Sequence, residues 1–220
     1  LENLFQLYSQ TLFKEFALTS FYFIHLLCNE LKRKKISNAF FLAREGQVLK
    51  EMFDLYQEYC MKGSGTKIQS HYLKVSRRST FLPSLNKIQN ETFFNLFRQY
   101  RHISTEEFLL SIGFTETEIE TLTTEIGIVK QKKETDFPTS ASFIKLLLSD
   151  NFINSYEQKR SEQKENFKGY VSSFINQEEK RIAIVDVGWK GTIQDNIYSA
   201  LGERLAIDGF YIGLVVKPDN

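Results

Sequence analysis

The stretch Ile182–Thr192, with the sequence IAIVDVGWKGT, decides the predicted fold of this chain. Its first six residues are nearly all apolar, which is typical of a strand buried on both faces of a parallel sheet. Glycines and a threonine follow, and Thr192–Leu201 then shows helical spacing. Glycine lets the backbone turn tightly and approach a ligand, and the N–H groups at a helix start attract anions. The stretch therefore predicts a buried strand that leads into a phosphate-binding turn.

The rest of the chain predicts further strands and helices around this one. Three more stretches have strand character: Ile36–Ala43, His71–Ser76 and Phe210–Val216. Helical spacing covers residues 3–34 and Gln47–Met61, and Lys62–Thr66 predicts a turn. Buried strands that alternate with helices indicate an α/β fold with a parallel, Rossmann-like sheet.

Residues 88–176 contain no convincing strand and predict a block of helices. The expected helices cover residues 90–100, 104–112, 115–126, 139–150 and 151–175. Thr115 followed by Glu118 is typical of a capping box. We expect an α/β core with an N-terminal helix from residues 1–87 and 177–220, interrupted by a helical insertion or cap over 88–176. Since the chain does not begin with Met and ends just after an apolar strand, we expect it to be part of a longer polypeptide.

Composition excludes several classes of protein. The formal net charge is +1, so no global field favours wrapping nucleic acid. Cys28 and Cys60 lie in helical stretches without metal-ligand spacing, which predicts two reduced, buried thiols in a cytoplasmic protein. The three histidines are scattered, so no metal cluster is expected.

No apolar run approaches the roughly 20 residues that span a bilayer, so no transmembrane segment is expected. The basic run Lys32–Lys35 ends the first helix, where cations interact well with the helix dipole. We interpret it as solvated surface. Contact with phosphate or with a membrane surface, which would make the protein peripheral to the inner membrane, is the alternative.

Unusual chemistry follows three of the predicted strands. The first is followed by Arg44, Glu45 and Gly46, and the second by Arg77 and Arg78. A parallel sheet brings these strand ends to one edge, together with the end of the third strand, which carries the residues Asp186, Gly188, Lys190, Gly191 and Thr192. Arginine forks match phosphate oxygens, and Asp186 would bind sugar hydroxyls or a metal-bound water. The edge therefore predicts a site for a phosphate-rich ligand.

Each part of this edge also has a purely structural interpretation. Gly188 and Gly191 occur in many strand–helix turns, Arg77 and Arg78 would be an ordinary solvated pair, and Trp189 would cover the edge of the core. The motifs of P-loop ATPases, dinucleotide-binding proteins and α/β-hydrolases do not occur in the sequence.

The whole chain resembles the C-terminal region of bacterial proteins from surface-polysaccharide gene clusters that are often labelled HAD-superfamily hydrolases. The matching stretches are Phe40–Leu49, Tyr72–Arg78 and Ile184–Gln194. A HAD phosphatase needs an Asp-x-Asp pair after its first strand, with one Asp as the nucleophile. Here Ala43–Gly46 stands at that position, so a HAD module would lie outside this chain.

The chain also resembles type I phosphoribosyltransferases and the glycan phosphoribosyltransferases of polysaccharide pathways. Ala43–Gly46 is similar to the pyrophosphate loop of that family. Lys74, Arg77 and Arg78 are placed as its basic residues after the next strand. Asp186–Thr192 looks like a shortened form of the loop that binds the 5-phosphate, with Gly188, Trp189, Lys190, Gly191 and Thr192 as its phosphate-binding part. Val187 stands where the family usually has a second acidic residue.

This resemblance implies transfer of a 5-phosphoribosyl group from phosphoribosyl pyrophosphate (PRPP) to a sugar hydroxyl. Mg2+ would arrive with PRPP and neutralise the departing pyrophosphate. Arg44, Arg77 and Arg78 would stabilise the departing charge, Asp186 would contact the ribose hydroxyls, and residues 88–176 would form the acceptor groove.

Two alternatives remain open from the sequence. One is a sugar-phosphate phosphohydrolase of the HAD type. The other is a non-catalytic module that binds a phosphosugar or supports a neighbouring HAD or glycosyltransferase domain.

Overall fold

The structure is a computed structural model that describes residues 14–61, 67–202 and 204–215. Its strands are β1 (Asn38–Leu42), β2 (Gln69–Leu73), β3 (Arg181–Trp189) and β4 (Ala206–Leu214). The helices of the described residues are α1 (Lys14–Arg33), α2 (Gly46–Cys60), α3 (Arg77–Ser84), α4 (Phe94–Phe97), α5 (Thr105–Ser111), α6 (Glu116–Glu125), α7 (Ala141–Leu147), α8 (Asp150–Ser172) and α9 (Thr192–Leu201), with 3-10 turns at Ile88–Asn90 and Phe137–Thr139.

All four strands are parallel and form one sheet in the order β2-β1-β3-β4. The chain leaves β1 towards β2 on one side, and β3 continues to β4 on the other side. The predicted α/β fold with a parallel, Rossmann-like sheet and inserted helices is therefore confirmed. In such a sheet, the point between β1 and β3 where the strand order reverses is where ligands usually bind.

The chain forms two compact units. The first contains the described residues up to 76, residues 174–195, and the described residues from 202 onward. The second contains residues 77–173 and 196–201, so α9 begins in the first unit and ends in the second. The predicted division, with an insertion over residues 88–176, stays a prediction, since compactness alone does not define a folding domain.

The core of the first unit lies between the sheet and the helices α1 and α2. Side chains alternate along the strands, so Ala39, Phe41, Ala183 and Val185 face this core while their neighbours face the opposite side. The helices contribute the buried residues Ile24, Leu27, Cys28, Leu31, Leu49 and Phe53. Burial of these side chains holds α2 against β1, and the start of α2 belongs to the candidate site described below.

The core of the second unit is rich in aromatic rings. Phe93 lies among four of them, with ring centres 5.1 to 6.1 Å away, and all four contacts are edge-to-face. This geometry places the positive ring edge against the negative ring face. The buried aromatic set is Phe93, Phe97, Phe108, Phe114, Phe137, Phe143, Phe152 and Tyr156.

The predicted capping box at Thr115 and Glu118 is confirmed. The Thr115 hydroxyl accepts a hydrogen bond from the Glu118 N–H at 3.3 Å, and the Glu118 carboxylate accepts one from the Thr115 N–H at 2.7 Å. The backbone N–H groups of Thr115 and Glu118 would otherwise lack partners at the helix start. The same arrangement at Ser104 and Glu107 begins α5.

All four strands differ somewhat from their predicted bounds, and β2 and β4 differ the most. β2 ends at Leu73 rather than Ser76, because the Val75 N–H turns back to the Leu73 carbonyl at 2.9 Å. β4 begins at Ala206 rather than Phe210, because its pairing with β3 already starts at Arg181. Val216, the predicted end of β4, and the predicted turn Lys62–Thr66 lie outside the described residues.

The helix predicted over residues 90–100 is wrong in most of its length. Phe93 has φ +50°, a left-handed conformation that a helix cannot contain, and only Phe94–Phe97 forms helical turns. In the N-terminal helix, residues 3–13 lie outside the described residues, and the described part ends at Arg33.

Cys28 is buried, as expected, and burial raises the pKa of its thiol to about 12. The prediction of a buried Cys60 is wrong, since this residue ends α2 at the surface. In the basic run, Arg33 pairs with Glu30 and Lys34 pairs with Asp208. Within the described part of the chain, every helix is too short or too polar to cross a membrane.

Candidate functional site

The carboxyl ends of β1 and β3 lie side by side where the strand order reverses. β1 pairs with β3 from Ala39 opposite Ala183 to Phe41 opposite Val185. The segments that follow these pairs are Ala43–Gly46 and Asp186–Thr192, which we call the β1 turn and the β3 turn. Both belong to the first unit, and each leads directly into a helix.

The β1 turn is held by the backbone. The Ala43 N–H donates to the Leu73 carbonyl at 3.0 Å, the peptide bond between Ala43 and Arg44 is cis, and α2 begins at Gly46. A Cβ at Gly46 would lie 2.8 Å from the carbonyl carbon of Phe41, so only glycine lets α2 begin this close to β1.

The two charged side chains of the β1 turn, Arg44 and Glu45, are exposed. The Glu45 carboxylate accepts a hydrogen bond from the Arg44 backbone N–H at 3.2 Å. A carboxylate here repels an anion, so any contribution of Glu45 to phosphate binding must come from its backbone. The Arg44 guanidinium is the group of this turn that suits a pyrophosphate.

The end of β2 lies beside the end of β1, because Leu42 pairs with Leu73. Lys74 follows at this edge and is exposed. Arg77 and Arg78 are the first residues of α3 and belong to the second unit. Their contribution to a common site with Arg44 stays a prediction.

In β3, Asp186 and Val187 face opposite sides of the sheet. Val187 packs against the core of the first unit, together with Phe210 and Ile212. The Asp186 side chain is half-buried, and one carboxylate oxygen accepts the Val187 N–H at 2.8 Å. Position 187 is partly buried against the apolar core, so a second carboxylate there would lose part of its hydration, a cost that valine avoids.

The β3 turn depends on glycine. Gly188 has φ +129°, and a Cβ there would lie 1.7 Å from the carbonyl oxygen of Gly213 in the neighbouring strand. Trp189 ends β3 and pairs through its backbone with Leu214. Lys190 is exposed, and Gly191 has φ +67°. No other residue type fits the backbone at Gly188.

The start of α9 has no side-chain cap from the residue that precedes it. The Gly191 carbonyl accepts the first helical hydrogen bond, from the Asp195 N–H at 3.0 Å, so a residue without a side chain occupies the capping position. Thr192, the first residue of the helix, is half-buried. This start can present its backbone N–H groups to an anion.

Tyr211 of β4 is a site residue that the sequence did not indicate. It is the register partner of Asp186, and its hydroxyl donates to the Gln194 side-chain oxygen at 2.6 Å. Burial raises the pKa of Tyr211 above its ordinary value, and the carboxylates of Asp186 and Asp195 raise it further. The phenol therefore stays protonated beside the β3 turn. Only the pairing of β4 with β3 reveals this position, because the sequence places it in an ordinary apolar strand.

The described residues contain no group of three His, Cys, Asp or Glu side chains that could hold a metal ion. Mg2+ that arrives together with PRPP stays a prediction.

A groove of about 260 Å³ lies in the second unit, between α6 and α8. Its lining combines hydroxyl, amide and carboxylate groups with apolar side chains: Phe114, Thr117, Glu118, Thr121, Leu122, Glu125, Asn151 and Ser155. Hydrogen-bonding groups of this kind suit a polar ligand such as a sugar, so the groove is a candidate for the predicted acceptor site.

Comparison with known families finds no family model that matches this chain, and comparison with curated proteins finds no match either.

Proposed function

We propose that this chain transfers a 5-phosphoribosyl group from PRPP to a sugar hydroxyl during the synthesis of a bacterial surface glycan. The observation that supports this proposal is the position of the β1 turn and the β3 turn at neighbouring strand ends, each at the start of a helix. PRPP carries phosphate groups at both ends of its ribose, so it can use two such turns at once.

The pyrophosphate end of PRPP suits the β1 turn. Arg44 offers a forked, permanently charged donor that stabilises the charge of the leaving pyrophosphate. Lys74 lies at the neighbouring strand end and adds a second cation. Arg77 and Arg78 are proposed as further contacts.

The 5-phosphate end suits the β3 turn. The backbone N–H groups at the start of α9, the Thr192 hydroxyl and Lys190 are donors for the phosphate oxygens. The backbone of the turn is formed by residues that include Gly188, Trp189 and Gly191. Asp186, on the sheet face opposite Val187, is the carboxylate that would accept hydrogen bonds from the ribose hydroxyls.

In the proposed reaction, the bond between ribose C1 and the pyrophosphate oxygen breaks. A bond forms between C1 and the acceptor oxygen, and the acceptor proton passes to solvent or to a base. Mg2+ enters as part of the Mg–PRPP substrate. The same proposal includes a cytoplasmic location, either free or peripheral to the inner membrane. It also includes a glycan acceptor and a neighbouring HAD or glycosyltransferase domain.

The test is release of pyrophosphate from Mg–PRPP in the presence of a panel of acceptor glycans. We expect acceptor-dependent release by the wild-type chain and a large loss in Arg44→Gln. Arg33→Gln is the matched control, because Arg33 is an exposed arginine at the end of α1, before β1 begins.

Three outcomes would contradict the proposal. Release of inorganic phosphate from an aryl phosphate would favour a phosphohydrolase. Binding of Mg–PRPP without transfer to any acceptor would favour a phosphosugar-binding module. Equal activity in Arg44→Gln and Arg33→Gln would exclude the assigned role of the β1 turn.

A further inference from the structure

A side-chain hydrogen bond ties the first turn of α9 to β4. Tyr211 lies in the middle of β4, and its hydroxyl donates to the Gln194 side-chain oxygen at 2.6 Å. Both residues belong to the first unit, and both are half-buried. A hydrogen bond that is shielded in part from water restrains geometry better than one at an exposed position.

Gly209 makes room for this contact. A Cβ at Gly209 would lie 1.8 Å from the Gln194 side-chain oxygen and 2.8 Å from the Tyr211 ring. A Cβ at Gly191 would lie 3.6 Å from the Tyr211 hydroxyl, so the phenol lies directly beside the β3 turn. The Gln194 amide therefore rests on the backbone of β4, and the Tyr211 hydroxyl lies between that amide and Gly191.

Gln194 lies at a helix position where its side chain can link the start of α9 to the sheet. Gln194 is the third residue of α9, and a glutamine at this position commonly folds back to bind the backbone N–H of the capping residue. Here its side-chain oxygen accepts from Tyr211 instead. The side chain thus links the helix start to the sheet.

We propose that Tyr211 and Gln194 are positioning residues that hold the β3 turn in the shape needed for the 5-phosphate end of the substrate. This inference rests on the proposed function and adds two residues that the sequence did not indicate. Tyr211 acts through Gln194 and the turn, and it need not touch the ligand itself. The pair serves one end of the substrate, whereas Arg44 serves the other.

The test uses two half-ligands, ribose 5-phosphate and inorganic pyrophosphate, in calorimetric titrations. Tyr211→Phe and Gln194→Met should each weaken ribose 5-phosphate binding by about five- to tenfold, the effect of one lost hydrogen bond, and change pyrophosphate binding by less than about twofold. Arg44→Gln should show the reverse pattern. Tyr198→Phe, a change at an exposed tyrosine of the same helix, should leave both affinities as they are.

Two results would overturn the inference. One is unchanged ribose 5-phosphate binding in Tyr211→Phe. The other is an equal loss for both half-ligands, because that would show a general structural role. Selective loss without any transfer of a phosphoribosyl group would support the inference and contradict the proposed function.

A second measurement decides the case in which the wild type binds neither half-ligand, which would itself contradict the proposed function. Amide hydrogen exchange at Asp195, whose N–H donates to the Gly191 carbonyl, reports how often the first turn of α9 opens in the ligand-free chain. Tyr211→Phe should raise this exchange by about fivefold relative to Tyr198→Phe, since local opening becomes easier. Equal exchange in the two variants would overturn the inference.

Discussion

The β1 turn and the β3 turn lie at neighbouring strand ends, but the structure holds them in different ways. The β1 turn is fixed at its end by Gly46, which lies against the backbone of Phe41, and its charged side chains are exposed. The β3 turn is fixed by its neighbour β4, through the fit of Gly188 against Gly213 and through the contact of Tyr211 with Gln194.

This difference shows what each turn can offer a ligand. The β1 turn presents an arginine side chain, which is a strong but mobile charge. The β3 turn presents backbone groups whose positions are set by the sheet, and which therefore need little reorganisation on binding. A ligand with two phosphate-bearing ends can use both kinds of site, and substitutions in each turn distinguish the two sites.

The largest expected effect is at Gly188. Gly188→Ala should lower the free energy of unfolding by more than about 3 kcal/mol, because the new methyl group meets the Gly213 carbonyl and φ is positive. Gly213→Ala is the control, since a Cβ at Gly213 meets nothing within 4 Å. Denaturant unfolding measures both variants. A mild effect at Gly188, equal to that at Gly213, would show that β4 does not fix the β3 turn.

Gly46 should be the next most sensitive position. Gly46→Ala should lower the free energy of unfolding by about 2 kcal/mol, because α2 must move away from β1. Gly169→Ala, within α8, should instead raise stability by about 0.5 kcal/mol, since alanine favours helix and has open space there. Thermal unfolding tests both. Stabilisation in both variants would contradict the close approach at Gly46.

Arg44 should affect ligand binding without affecting folding. Its side chain is exposed, so Arg44→Gln should change the unfolding free energy by less than about 0.5 kcal/mol. Loss of a charge-assisted contact should weaken pyrophosphate binding by about tenfold or more. Calorimetry on a variant with unchanged thermal stability separates the two effects. Unchanged pyrophosphate affinity in Arg44→Gln would contradict the assignment of the β1 turn to the pyrophosphate.

The smallest expected effect is at Glu45. Glu45→Gln removes a carboxylate from the β1 turn, so pyrophosphate should bind about twofold more tightly at low salt, and this gain should shrink at high salt. Titrations at two salt concentrations measure it. Weaker binding in Glu45→Gln would indicate that the carboxylate itself supports the ligand.

The sequence predicted the parallel sheet because its strands carry nearly continuous apolar residues, as in β1 and in Ile182–Val185. It predicted the two turns because glycine and charged residues follow those strands directly. Both signals are local in the sequence. A local preference is realised in the fold when burial of the same residues favours the same structure.

Other features depend on contacts between distant residues, which a local pattern does not contain. Tyr211 joins the candidate site only because β4 pairs with β3 in one register. Val187 faces the core because α1 and α2 cover that side of the sheet. The helix predicted over residues 90–100 is interrupted at Phe93. This residue has a left-handed backbone, and its ring packs in the aromatic core. Each of these outcomes is set by packing rather than by propensity.

The most direct test of the central claim is competition at the two turns. If one Mg–PRPP molecule occupies both turns, ribose 5-phosphate and pyrophosphate should each displace it, and the two half-ligands should bind together without competing with each other. Calorimetric titration of Mg–PRPP in the presence of each half-ligand measures this. Binding of Mg–PRPP that neither half-ligand reduces, or no binding of Mg–PRPP at all, would contradict the account.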